Sequence, residues 1–368
     1  MPISSIRLTR AIQALAEHSV DAILLTPGAD LQYLTGFTHG HAYERLLALV
    51  LRRDGSGRWI IPTMNAEQVR PHAMPGQAIV AWTDQETYLP ALADALRGAS
   101  SVAFDDEARA GFLMDLLVTA PGATIKRASM ITRPLRLRKD AAEIAGLRAA
   151  ADTVDQTIPQ AIALCQVGQT ESQIDERLRG ALVQRAPDQS VAFTIIASGP
   201  NAATPHHETA RRAIEPGDVV IVDFGTREPG GYQSDITITC SAGEPRDPEA
   251  RKVYATVYNA QQAAIAAIRP GVTCEAIDRA ARSVIEDAGY GQYFIHRTGH
   301  GLGLQGHEAP YIVGGNTQLL EEGMVFSIEP GIYLPGRFGV RLEVIVAVGT
   351  NGAIMINQPS RPELPIAR

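Results

Sequence analysis

Two stretches of this chain occur twice, in the same order, and that repetition limits what it can fold into. GQTESQID (168–175) is matched by GVTCEAID (271–278), 103 residues on, with Gly, Thr, Ile and Asp in the same places. GDVVIVDFG (217–225) is matched by GMVFSIEPG (323–331), 106 residues on. The first stretch opens a helix in both copies, with the threonine as N-cap. The second is an apolar strand ending in an acid and, shortly after, glycine. Similar segments at a near-constant offset predict two related helix-then-hairpin halves.

The acids in these strands raise an electrostatic problem. Asp223 ends one strand, and Asp235 follows the turn REPGG. Their midpoint, residue 229, lies in that turn, so an antiparallel hairpin is expected to set them face to face. Glu329 ends the other strand, and Glu343 follows YLPGRFG; their midpoint is Gly336. Like charges opposite one another destabilise a sheet, and buried carboxylates need a compensating cation. Arg341 and a few histidines are the nearby cations. Two divalent ions would balance four carboxylates. A carboxylate-rich set with one imidazole suits Mn, Mg, Fe or Co better than a closed structural zinc site. Separate surface acids with arginine partners are the other arrangement the spacing leaves open.

The segment HRTGHGLGLQGHE (296–308) holds three histidines. His296 and His300 have the spacing of a helical zinc pair, but Gly299, Gly301 and Gly303 each cost a helix about 1 kcal/mol. Glycine at this density lets a backbone approach a ligand or another strand closely. An irregular strand or loop is expected, with ligand partners from elsewhere. Composition does not choose among the histidines.

At 368 residues the chain has room for two domains. Its 45% hydrophobic and 20% charged content is that of a globular protein. No apolar run reaches membrane-spanning length, and the first twenty residues read as an amphipathic helix without a signal peptide's apolar core. A net charge of −7 leaves no footprint for nucleic acid. Three scattered cysteines, Cys165, Cys240 and Cys274, suggest a reduced, cytoplasmic setting. Residues 1–132 alternate helix and strand signals, including VDAILLTP as a buried strand and two strands around DGSG. In that region His39 and His41 are the candidates for chemistry, read as surface or substrate-rim groups. Pro134 and a basic run suit a linker over 133–139, and a long helix is expected to start near Lys139 and Asp140.

ASGPNAATPHH (197–207), the Asp223–Asp235 hairpin, HRTGHGLGLQGHE and EPGIY…GVRLE occur in one order. That order resembles the proline-specific peptidases of the pita-bread metallopeptidase family, Xaa-Pro dipeptidase (prolidase) and Xaa-Pro aminopeptidase. The resemblance covers the whole chain. It implies an α+β fold: a pseudo-symmetric pita-bread catalytic domain, an antiparallel sheet covered by helices, over 140–368. A creatinase-like α/β domain precedes it.

The resemblance also implies five metal ligands, Asp223, Asp235, His300, Glu329 and Glu343, with Asp235 and Glu343 bridging two ions. Manganese is the expected metal, with cobalt or zinc as substitutes. His206, His307, Glu329 and Arg341 match catalytic positions, and His296 and Tyr333 match the substrate pocket. His207 is read as a bystander to His206. The implied reaction is attack of a metal-bridging hydroxide on the Xaa-Pro peptide bond of a dipeptide. The substrate is a short proline-containing peptide, and the family suggests a homodimer.

The pattern departs from the family at Ile238 and Val344, where an arginine and an acid are common. An exchange of that charge pair for hydrophobic contact is the expected explanation. Action on longer peptides as an aminopeptidase is the nearest alternative. A metal-free creatinase-like hydrolase, a methionine aminopeptidase and a non-enzymatic scaffold are more distant ones.

Overall fold

The computed structural model describes residues 3–38 and 44–367. His39 and His41 lie outside the described residues. The chain divides into two compact units, Met1–Arg136 and Leu137–Arg368.

The first unit is built on a mixed six-stranded sheet. Its strands are β1 (Ala22–Leu25), β2 (Ala48–Arg52), β3 (Gly57–Pro62), β4 (Gln77–Trp82), β5 (Ser101–Phe104) and β6 (Thr124–Arg127), in the order β4-β3-β2-β1-β5-β6. β2 and β3 pair antiparallel around the DGSG turn, as their alternation predicts. β1 is buried along its whole length, as expected of a central strand. Residues 133–137, read from sequence as part of a linker, are instead the end of helix Ser129–Leu137, with Pro134 inside it. Ile131 and Thr132 are buried on that helix, and Arg136 pairs with Asp30 at 2.5 Å. Tertiary anchoring of this kind overrides the helix-breaking tendency of proline.

The second unit opens with helix Ala141–Leu164. Asp140 caps it, accepting from Ala142 N and Glu143 N in a capping box. Helix Glu171–Arg185 follows, and then β7 (Ser190–Ser198), β8 (Val219–Arg227) and β9 (Ile236–Ala242). Helices Ala250–Ala267 and Cys274–Asp287 begin the second half. Its strands are β10 (Gly299–Gly301), β11 (Glu308–Ile312), β12 (Val325–Ile328), β13 (Gly331–Leu334), β14 (Phe338–Arg341) and β15 (Val344–Val348). Two short strands, β16 (Ala353–Met355) and β17 (Ile366–Ala367), end the chain. The sheets run β17-β9-β8-β7 and β11-β10-β12-β15-β16, with β13-β14 as a separate ribbon.

The repeated segments occupy equivalent places. Thr170 and Thr273 both cap helices, accepting from Gln173 N and Ala276 N. Both threonines also form isolated antiparallel bridges, to Ala213 and Leu319. Two apolar cores form, one under the helices of each half, and the strands of the second half feed both: Val325 and Ile345 face the first, Phe326 and Val344 the second. One packs Leu147, Ile174 and Leu178 against Val220, Val222 and Ile236. The other packs Val257, Ile277 and Ile285 against Phe326, Ile328 and Val344. Ile238 packs against the first core while Val344 lies in the second. Among the described residues no helix is long and apolar enough to cross a membrane.

The cap of the repeated helix can be tested directly. Thr170→Ala is expected to lower stability by about 1 kcal/mol and Thr170→Ser by much less, because the serine hydroxyl can still accept from Gln173 N. Urea unfolding of the two variants beside the parent measures both; equal losses would deny the cap its role.

Candidate metal centre

Asp223 sits on β8, opposite Thr237 of β9 on one side and Ile195 of β7 on the other. Asp235 lies just before β9, so the two acids are not directly opposite, as the midpoint had suggested. The hairpin centres on residue 230: Glu228 N donates to Tyr232 O, and Arg227 bridges Gln233. The Glu228 carboxylate also accepts from Gly230 N and Tyr232 N, which fixes the turn one residue later than expected. The resulting offset between the acids is two residues. Strand side chains alternate with period two, so both acids keep the same face as diagonal neighbours.

Glu329 and Glu343 follow the predicted register. Ile328 pairs with Val344 and Gly331 with Arg341, both centred on Gly336. Between those pairs the ribbon is interrupted. Glu329 N donates to Thr298 O and Glu343 N to Thr237 O. The break draws both acids toward the neighbouring strands that carry Asp235 and His300.

His300 lies on β10, at a bulge. A Cβ on Gly299 would come within 1.9 Å of Ser327 O, and one on Gly301 within 2.2 Å of Ala309 O. The glycines are what let β10 lie so close to its neighbours. His300 Nδ1 contacts Gly301 O at 3.1 Å. A carbonyl only accepts, so Nδ1 carries the proton and Nε2 presents its lone pair. Nε2 faces Glu329 Oε1 at 3.2 Å and Asp235 Oδ2 at 3.7 Å.

Ligand atoms of Asp223, Asp235 and Glu343 lie within 4.8 Å of one another, as do those of His300, Glu329 and Glu343. A third grouping joins Asp235, His300 and His307. In it, Arg297 Nη2 donates to His307 Nδ1 at 3.1 Å, which leaves the His307 proton on Nε2 as a donor.

Burial rules out the surface-acid arrangement: Asp223, Asp235 and Glu343 are 7%, 6% and 2% exposed. Among the described residues, Asp223 alone of the cluster has a guanidinium partner, Arg341 Nη2 at 2.7 Å. Asp223 Oδ1 and Glu343 Oε1 are buried without any hydrogen bond. Burial pushes the Asp235 carboxyl well up, and Asp223 and Glu329 push it further. Burial, then Asp235, Glu329 and Asp223, does the same to Glu343. Burial raises Glu329 to about 7, against the pull of Arg341. Burial lowers His300 to about 3. Unpartnered buried oxygens, converging acids and one imidazole lone pair together fit divalent cations with a preference for oxygen.

Arg341 is itself buried. It donates to Asp223, to Tyr333 OH at 3.0 Å, to Thr237 Oγ1 at 3.0 Å and to Pro205 O at 3.0 Å. Because arginine only donates, the Tyr333 hydroxyl donates to His296 Nε2 at 2.9 Å, and His296 Nδ1 donates to Arg297 O at 2.7 Å. Burial lowers His296 to about 4, so this relay is neutral at its far end.

The acids open into a cavity of about 650 Å³, the size of small-ligand sites. His206, His296 and His307 line it, as do residues not singled out from sequence, among them Phe193, Ile195 and Arg297. Phe193 and Ile195 alternate on β7, and Ile195 pairs across the ladder with Asp223. That strand's period-two pattern was the available signal, but nothing in the sequence said which strand would flank Asp223.

The shifted groups set the pH dependence of the metal-free protein. Lowered His300 and His296 contribute stability that grows with pH and is complete above their ordinary 6.5. Raised Glu329, Asp235 and Glu343 contribute stability that is full below their ordinary values and is lost as pH rises through the folded ones. From pH 6.5 upward only the acids act, so stability should fall by up to about 1.4 kcal/mol per pH unit for each titrating group. Manganese should flatten that slope. Thermal midpoints at pH 6.5, 7.5 and 8.5, with chelator and with manganese, measure it; parallel curves would contradict the ion-binding reading.

The chain has relatives among known proteins. The model of Metallopeptidase family M24 matches residues 145–350, and that of the Creatinase/Prolidase N-terminal domain matches 7–138. The chain is 39% identical to the probable dipeptidase PepE of Mycobacterium tuberculosis over 353 residues, 95% of this chain and 93% of that one. It is 35% identical to the Xaa-Pro dipeptidase of Lactobacillus helveticus over 356 residues, covering 94% and 95%. The crystal structure of dipeptidase PepE from Mycobacterium ulcerans matches it with a TM-score of 0.93 at 40% identity, covering 99% of this chain and 98% of that one. The chain belongs to metallopeptidase family M24, its pita-bread catalytic domain preceded by a creatinase-type N-terminal domain.

Proposed function

We propose that this protein hydrolyses the Xaa-Pro bond of dipeptides with two divalent ions held by Asp223, Asp235, His300, Glu329 and Glu343. One observation carries the reading: converging buried carboxylates, two with unpartnered oxygens, face one guanidinium at a ligand-sized cavity. Membership of a metallopeptidase family and the likeness to dipeptidases named above support it. Glu343 belongs to both carboxylate groupings and Asp235 to the groupings around Asp223 and His300, so these two residues would help to hold either ion. Manganese agrees with a set of four carboxylates and one imidazole.

Two such ions, when bound, supply an acidified water as nucleophile and polarise the scissile carbonyl. Glu329 takes the proton of the attacking water at its carboxylate and hands it to the leaving nitrogen. His206 and His307 line the wall and donate hydrogen bonds to the carbonyl oxygen as charge develops there. The leaving nitrogen is that of proline. Its amide has no N–H, so selection rests on ring shape, and Phe193, Ile195 and the neutral His296 form the wall that could provide it.

A dipeptide also presents a free carboxylate beside the proline. Arg341 is committed to Asp223, Tyr333, Thr237 and Pro205 O, which favours Arg297 as its partner. The Arg297 guanidinium lies over the Tyr311 ring at 4.7 Å and lines the cavity, a setting in which arginine binds carboxylates well.

The manganese-loaded enzyme is expected to cleave a Xaa-Pro dipeptide faster than a tripeptide with one residue added after proline. Preference for the tripeptide would make it an aminopeptidase. Asp235→Ala should lower turnover by about a thousand-fold or more, equivalent to about 4 kcal/mol of barrier; undiminished turnover would remove the metal reading. Arg297→Ala should raise KM for the dipeptide about ten-fold, with a smaller change for the tripeptide, since it removes one charge-assisted contact. Steady-state kinetics on both substrates measures the difference.

A further inference from the structure

Glu171, outside the cavity, is fully buried and holds one stretch of chain at five points. Its Oε1 accepts from Ser198 N at 2.8 Å, Ser198 Oγ at 2.7 Å and Asn201 Nδ2 at 3.0 Å. Its Oε2 accepts from Ala210 N at 3.0 Å and meets His207 Nε2 at 2.9 Å. Burial pushes this carboxyl up, but the bonds from Ser198, His207, Asn201 and Ala210 outweigh it and hold its pKa below the ordinary value. The ionised group only accepts, so His207 Nε2 carries a proton toward it.

The duplicated half supplies an internal comparison. Glu171 follows the capping Thr170, and the residue that follows the matching Thr273 is Cys274. Cys274 is equally buried and heads its helix without a charge. Neither the cap nor the helix therefore requires a carboxylate at this place. What distinguishes the first half is the segment 198–210, which carries His206.

That segment is held on both sides of His206. Pro205 O accepts from Arg341 Nη1 at 3.0 Å. On the other side, His207 and Ala210 are tied to Glu171. His206, between them, is exposed and lines the cavity. An exposed imidazole cannot be oriented by packing around its own ring, so the flanking backbone has to fix it.

We propose that Glu171 is a positioning residue for the hydrolytic site, with His207 as its strut, setting where the His206 imidazole enters the cavity. The inference rests on the reading of His206 as a substrate-contacting group. A displacement of about 1 Å in such a group can cost about a hundred-fold in rate. Glutamine at 171 can keep the bonds from Ser198 and Asn201, but its amide nitrogen accepts neither from Ala210 N nor from the His207 Nε2 proton, so the anchors that follow His206 are the ones lost.

A double-mutant cycle on the manganese-loaded, full-length enzyme with a Xaa-Pro dipeptide tests this. Glu171→Gln should lower kcat by about ten- to a hundred-fold in the parent, with bound manganese unchanged. In the His206→Ala background it should lower kcat by less than about two-fold, because the group it positions is gone. His207→Ala, which removes one of the five bonds, should show the same dependence on His206 with a smaller loss, and it serves if Glu171→Gln does not fold. An equal fractional loss in both backgrounds, or no loss in the parent, overturns the positioning role alone. A fully active His206→Ala variant overturns the role of His206 and this inference with it.

Discussion

Four carboxylates set against one guanidinium are the constraint that the catalytic unit is arranged around. Asp223 on β8 converges with Asp235, Glu329 and Glu343, which adjoin the ends of β9, β12 and β15, among strand residues that are almost all buried and apolar. The penalty for charge in such a place is several kcal/mol per ion. Arg341 offsets part of it through Asp223. The rest appears as raised pKa values and as oxygens without hydrogen bonds. A protein built only for stability would have no reason to keep that arrangement. Divalent ions turn the same repulsion into a source of binding energy.

The backbone has been reshaped around this cluster. Where Glu329 and Glu343 face one another, the hairpin gives up its own ladder and bonds outward to Thr298 and Thr237. Thr237 returns the favour with a hydroxyl bond to Glu343 Oε2 at 2.8 Å. The two halves contribute a pair of acids each, yet they are not interchangeable. The first half has a buried glutamate that ties down the segment carrying His206. The second has a neutral helix start and supplies His300 from a glycine-rich strand. Duplication set up the framework, and asymmetry between the copies made a site with distinct walls.

Much of this was legible beforehand in residue order. The threonine caps, the helix start near Asp140, the hairpin around Gly336 and the non-helical state of His300 all follow from local chemistry that acts over a few residues. The first hairpin centres one residue beyond the midpoint of its acids because Glu228 caps its own turn, a side-chain contact that spacing does not reveal. The error left the chemistry intact, since a shift of one at the centre moves the partner by two and returns it to the same face. His207, read as idle, proved to be bonded to Glu171, a residue 36 positions away. Alternation marks Phe193 and Ile195 as strand residues, but neither they nor Arg297 are marked as cavity lining, because that depends on which strands become neighbours.

The sequence by itself determined the duplicated framework, the positions of the four acids on apolar strands and the excess of negative charge they create, because these depend on periodicity and on turns that close locally. Only the tertiary structure decided that the two acid pairs meet at one place, that Arg341 is spent on Asp223, and which nitrogen of His300 is left open. Those outcomes depend on the packing of strands more than a hundred residues apart and on hydrogen bonds between them. No local pattern encodes which of several similar histidines such packing will bring to the acids.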